Sequence, residues 1–106
     1  MPRRHTKKST YTIKVRIWLY PGENGNWHFI TVPKKESKEI SETFDEWKRG
    51  WGSLPIHVTI GDTSWTTSIF PERKTGAYLL PLKAMVRKKE GIEANDSVVA
   101  TFTISP

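Results

Sequence analysis

Apolar and polar positions alternate strictly through residues 11–20: Tyr11, Ile13, Val15, Ile17 and Leu19 fall on one face, and Thr12, Lys14, Arg16, Trp18 and Tyr20 on the other. A period of two, rich in β-branched and aromatic residues, predicts a half-buried strand. Residues 21–26 are dense in Pro, Gly and Asn, so residues 27–32 are expected to return as a second strand that Pro33 ends. The period then changes. Ile40, Phe44 and Trp47 recur at spacings of four and three among Lys, Glu and Ser, which places them on one face of a helix of about three turns. Lys48 and Arg49 suit the negative end of that helix, and Gly50 supplies a left-handed stop. After a short loop through Gly52 and Pro55, Ile56, Val58 and Ile60 alternate with His57 and Thr59. Gly61-Asp62 forms a tight turn, and residues 64–70 resume strand chemistry.

Residues 77–80 read as a short strand, and Pro81 is expected to open a second helix over residues 82–90 with Leu82, Met85 and Val86 facing inward and Gly91 as its stop. The last strand covers residues 97–104, with Val98, Ala100, Phe102 and Ile104 on its inner face. The order β, β, α, β, β, β, α, β with short links predicts a mainly β fold. It is expected to be a small closed β-barrel with two short helices, because closure removes the exposed edges of so many short strands. Two segments share a plan of strand, proline, helix, glycine and strand: Phe29-Ile30-Thr31-Val32-Pro33-Lys34 and Tyr78-Leu79-Leu80-Pro81-Leu82-Lys83. Either the chain holds an internal pseudo-twofold, or a proline that ends a strand and starts a helix recurs for local reasons.

The second copy carries a resemblance. Gly76-Ala77-Tyr78-Leu79-Leu80-Pro81, then Lys83, Arg87, Gly91-Ile92, Asn95-Asp96 and Val98, resembles the transition-state-regulator and antitoxin type of double-split β-barrel. Asn95 stands where that motif has glycine, and Asn is the non-glycine residue best suited to positive φ. Residues 11–104 resemble a narrower family of uncharacterised small bacterial and archaeal domains placed among the double-split barrels. The matching residues are Trp27-His28-Phe29-Ile30-Thr31-Val32-Pro33, Val58-Thr59-Ile60-Gly61-Asp62, Trp65-Thr66-Thr67-Ser68-Ile69-Phe70-Pro71 and the run from Leu80-Pro81 to Asp96. Members sometimes precede an OmdA-like bacteriocin-protection domain, and no such domain is expected within these 106 residues. The resemblance implies the barrel fold and brings no agreed activity. The DNA binding of the wider superfamily uses dimers, and a chain that already holds both halves has that surface spent internally.

Composition narrows the functional classes. The 106 residues contain no cysteine, which removes disulfides, thiolate metal sites and thiol nucleophiles. The apolar runs fall short of a membrane span and the N-terminus lacks the apolar stretch of a signal peptide, so a soluble cytoplasmic protein is expected, with no membrane partner. Of the net charge of +6, four charges sit in residues 1–10 as Arg3, Arg4, Lys7 and Lys8, leaving +2 for the remainder. The expected organisation is a basic disordered tail over residues 1–10 and one barrel domain over residues 11–106.

Nothing in the sequence forms a catalytic or metal constellation, and no cofactor is expected. His28 and His57 lie in different strands and His5 in the tail, without the spacing of a metal-binding helix. Asp62 and Asp96 sit in turns, where Asp is favoured for local hydrogen bonding. Ser68 lacks a nucleophile elbow. Five tryptophans are many for so short a chain, and large rings either fill the core or build a platform beside cations. Lys83 and Arg87 lie four apart, so Arg87 either joins a solvated face or holds an anion by its planar fork. The preferred reading is a non-enzymatic binding module with a small-ligand cleft built from Trp27, Trp65, Ser68 and Arg87, expected as a monomer ahead of a homodimer. The first rival is a weak nucleic-acid binder using Arg3, Arg4, Lys7, Lys8, Lys14 and Arg16. The second is a protein–protein interaction domain.

Overall fold

In the computed structural model, which describes residues 9–22 and 25–105, the first alternating segment folds as two strands. These are β1 (Thr10–Arg16) and β2 (Trp18–Gly22), parted at Ile17. The order continues with β3 (Gly25–Thr31), α1 (Lys34–Thr43), β4 (Leu54–Ile60), β5 (Thr63–Pro71), β6 (Tyr78–Leu82), α2 (Ala84–Glu90) and β7 (Ser97–Ile104). Single 3₁₀ turns at Asp45–Trp47 and Gly50–Gly52 link α1 to β4. The tail expected over residues 1–10 lies almost wholly outside the described residues. Among the described residues no helix is long and apolar enough to cross a membrane.

The strands form one antiparallel sheet ordered β1-β7-β4-β5-β6-β3-β2 that curls into a half-barrel. It is open, which corrects the expected closed barrel. The two ends of the sheet, β1 and β2, are consecutive halves of one extended segment joined through a single residue. Antiparallel pairing needs a turn between its strands, so these halves cannot lie side by side. Ile17 instead gives both backbone groups to the loop before β7: its N–H donates to the Asp96 carbonyl at 2.9 Å and its carbonyl accepts from the Asn95 N–H at 2.7 Å. Asn95 does this at φ 76°, the left-handed conformation that its side chain tolerates.

Pairing repeats across the two halves of the chain. β3 and β6 pair around Thr31–Leu79, which puts Ile30 opposite Leu80, and the Val32 N–H donates to the Tyr78 carbonyl at 2.8 Å. β4 pairs β7, while β1–β2 is shared between β7 and β3 as β5 is shared between β4 and β6. Exchanging β3 with β6, β4 with β7 and β1–β2 with β5 reproduces the pattern, which is the pseudo-twofold alternative of the repeated segments.

The inner face follows the alternation. Val98, Ala100, Phe102 and Ile104 are buried, as are Leu54, Ile56, Val58 and Ile60 opposite them or beside them. Several expectations need correction. Leu19 is partly exposed because β2 runs beyond the core. α1 buries Ser37, Ile40 and Phe44 and stops at Phe44; Trp47 swings out on a 3₁₀ turn, and Gly50 is not the stop. Pro55 is inside β4; the Ser105 N–H donates to its carbonyl at 3.0 Å, and because proline has no N–H for the return bond the β4–β7 ladder closes at Ile56–Ile104. Pro81 and Leu82 stay in β6. Pro81 faces Phe29 at a position whose backbone nitrogen points away from β3, toward the side that β5 has left, so the missing N–H deprives no strand. In the shortened α2, Val86 is buried and Met85 is exposed. Gly91 ends the helix at φ 63° as expected.

One buried hydroxyl ties α1 to the sheet. Ser37 Oγ donates to the Val32 carbonyl and accepts from the Tyr78 N–H, both at 3.0 Å, across the β3–β6 pair. Ser37→Ala leaves a buried N–H without its acceptor, and should lower stability by about 1–3 kcal/mol in urea denaturation. An unchanged midpoint would show that the hydroxyl is not a tie.

Candidate functional site: a cleft where two strands part

β5 stays with β4 from Thr63 to Ile69 and meets β6 only at Phe70–Leu79 and Pro71–Tyr78. On the other side of that short contact the two strands diverge, and α2 lies along the edge of β5 that β6 leaves. The helix is fixed at its far end by Glu90, whose Oε2 accepts from Thr63 Oγ1 at 2.5 Å and from the Asp62 N–H at 3.3 Å. At its near end Lys83 borders the same hollows as Thr67. The dimensions agree: seven helical residues rise about 10 Å and four strand residues about 13 Å. Gly61 is required in the β4–β5 turn, because its φ is +58° and a Cβ there would collide with the Glu90 carboxylate.

The gap left between β5, the end of β6 and the start of α2 is a cleft of about 330 Å³. It is bordered by Trp27 and His28 of β3, Thr67 of β5, Pro81 of β6, Lys83 and Arg87. Among the described residues no carboxylate lines it. Among the described residues Arg87 has no carboxylate within ion-pair distance, and its Nε is buried without an acceptor. Trp27 is 60% exposed, with its ring 8° from parallel to that of Phe29 at a centroid distance of 6.5 Å. A second hollow of about 450 Å³ adjoins it through Thr67 and Lys83, and holds His57, Thr66, Ser68 and Phe70.

The residues expected to build one cleft therefore separate. Trp27 and Arg87 come together. Ser68 borders the adjoining hollow. Trp65 is only 7% exposed and faces the core opposite Val58, with its Nε1 buried without an acceptor among the described residues. Lys14 and Arg16 are exposed on β1, while Arg3, Arg4, Lys7 and Lys8 lie outside the described residues. Lys83 and Arg87 border the same cleft although Lys83 precedes the helix rather than belonging to it. Thr67 and Pro81 carry no signal in the sequence that marks them as lining residues. His28 borders the cleft and His57 the adjoining hollow, and no metal-binding group of three or more His, Cys, Asp or Glu occurs among the described residues. Asp96 accepts from the Glu93 N–H at 2.9 Å through Oδ2, a local role in shaping its loop. Burial pushes the phenols of Tyr11 and Tyr78 above their ordinary value, and both belong to the core rather than the cleft.

Because Glu90 sets where α2 rests, Glu90→Ala should destabilise the fold by about 1–3 kcal/mol, and Glu90→Gln, which keeps an acceptor, should recover most of the loss in the same urea titration. Equal stability of the alanine variant and the parent would remove Glu90 as the latch.

No curated protein matches the chain significantly. Over residues 14–102, most of its length, the sequence matches the domain of unknown function DUF1905, and the chain belongs to that family.

Proposed function

We propose that this domain is a non-catalytic binding module that takes a small planar anion in the cleft between Trp27 and Arg87. One juxtaposition supports the reading most: a guanidinium without a carboxylate partner among the described residues borders the same cleft as a largely exposed indole. A planar guanidinium meets a carboxylate or phosphate with two parallel bonds, and an indole face takes a flat ring. Lys83 adds a second cation on the same rim. The volume lies at the small end of ligand sites, which suits one ring with its acid group. The reading is non-catalytic because Lys83 and Arg87 supply positive charge and, among the described residues, no carboxylate lines the cleft to pair with His28 as an acid–base couple.

Isothermal titration with indole-3-acetate and with uridine 5′-monophosphate tests it. Binding of at least one probe is expected, and Trp27→Ala or Arg87→Gln should each weaken it about tenfold with the thermal midpoint unchanged. No binding heat with either probe, or full affinity in both variants, would overturn the assignment.

A further inference from the structure

The outer face of the sheet divides into two chemistries. On β1, β7, β4 and the first part of β5 it carries hydroxyls in cross-strand register, with Thr10 bonded to Thr103 at 2.9 Å, Thr12 to Thr101 at 3.0 Å and Thr59 to Ser64 at 2.6 Å. On β2 and β3 it carries four aromatic rings. Trp18 lies opposite Phe29 and Tyr20 opposite Trp27, so the rings form two cross-strand pairs. Trp18 and Phe29 are half-buried with centroids 5.2 Å apart, and the Trp18 indole N–H donates to Thr31 Oγ1 at 2.8 Å, which fixes that ring in its outward position. Tyr20 at 57% and Trp27 at 60% exposure form the open end of the patch. β2 pairs only with β3, so no further strand covers this side among the described residues.

We infer that this aromatic patch continues the cleft, and that the ligand is single-stranded nucleic acid, with one base on Trp27, a neighbouring base on Tyr20 and the phosphate beside Trp27 held by Lys83 and Arg87. The inference rests on the binding-module reading and names its ligand. Charge selects the occupant. The rim nearest Trp27 bears Lys83 and Arg87, with Lys88 and Lys89 following on α2 and, among the described residues, no carboxylate lining the cleft. An exposed aromatic patch for a neutral apolar partner does not call for that rim, whereas a polyanion with flat bases does. Ring exposure selects the single strand: Tyr20 and Trp27 are cross-strand partners and the two most exposed rings of the patch, and an open ring face takes the face of an unpaired base, whereas a duplex presents base edges.

Fluorescence anisotropy of labelled oligouridylates against the full chain, with uridine 5′-monophosphate as competitor, tests the inference. Affinity should rise about tenfold or more from the monomer to the tetramer, and Tyr20→Ala should abolish the gain with length. Trp47→Ala, whose ring is exposed beside Asp45 and Glu46, should bind as the parent does. The slope of log K against log salt should fall in magnitude by about 0.7 in the Lys83→Gln, Arg87→Gln double variant, as the loss of one neutralised phosphate on a single strand requires. If oligomers bind no better than the monomer, the inference fails while the cleft reading stands. If neither binds, and indole-3-acetate does not bind either, both fail. If Tyr20→Ala changes only self-association or the capture of an apolar peptide, the patch is a protein contact and the nucleic-acid inference is overturned.

Discussion

One residue, Ile17, divides the first extended segment of the chain between the two halves of the fold. It is fully buried, and both of its backbone groups are taken by the loop that leads into β7. A strand held at its midpoint in this way cannot continue beside one partner, so β1 follows β7 and β2 follows β3. The second long strand, β5, makes the same transfer from β4 to β6 without a break. Each strand that changes partners leaves an edge behind it, and such an edge must be covered by something other than a strand. The curled, open sheet follows from these two transfers.

The cleft is the consequence of the second transfer. β5 leaves β6 after two pairs, α2 covers the vacated edge of β5, and Glu90 fixes how closely the helix approaches. What the helix does not fill is the space between Thr67, Pro81 and Trp27. The first transfer has the complementary effect of carrying β2 to the end of the sheet. There Trp18, Tyr20, Trp27 and Phe29 share an outer face that no other strand covers among the described residues. A fold that only needed to bury its rings would turn them the other way, since a fully buried indole or phenyl side chain stabilises by about 2–3 kcal/mol relative to an exposed one.

The inner faces of β4 and β7 were legible from period-two alternation alone, and the Gly61-Asp62 turn from its composition. The break at Ile17 was not, because side chains on both sides of it keep the same period; the signal lies in backbone bonds to Asn95 and Asp96, far away in the chain. The inward orientation of Trp65 is readable from the turn before it. A two-residue turn sets Ile60 opposite Thr63, hence Val58 opposite Trp65, and Val58 faces the core. The same parity argument turns Trp27 and Phe29 outward once Ile30 and Val32 face inward. Lys83 and Arg87 were paired by helical spacing, and the cleft joins them although Lys83 stands outside the helix. The partial pairing of β5 with β6, which creates the cleft, depends on where α2 packs, and a list of strands does not contain that information.

Which way the tryptophans face decides whether the cleft and the aromatic patch are open, and the five indole N–H signals in a ¹H–¹⁵N spectrum report it directly. With a soluble paramagnetic relaxation agent and no ligand, the Trp27 signal should broaden strongly along with that of Trp51, which is 86% exposed, while the Trp65 signal persists. Persistence of the Trp27 signal alongside that of Trp65 would mean that its ring is covered, and the cleft and the platform beside it would both be contradicted.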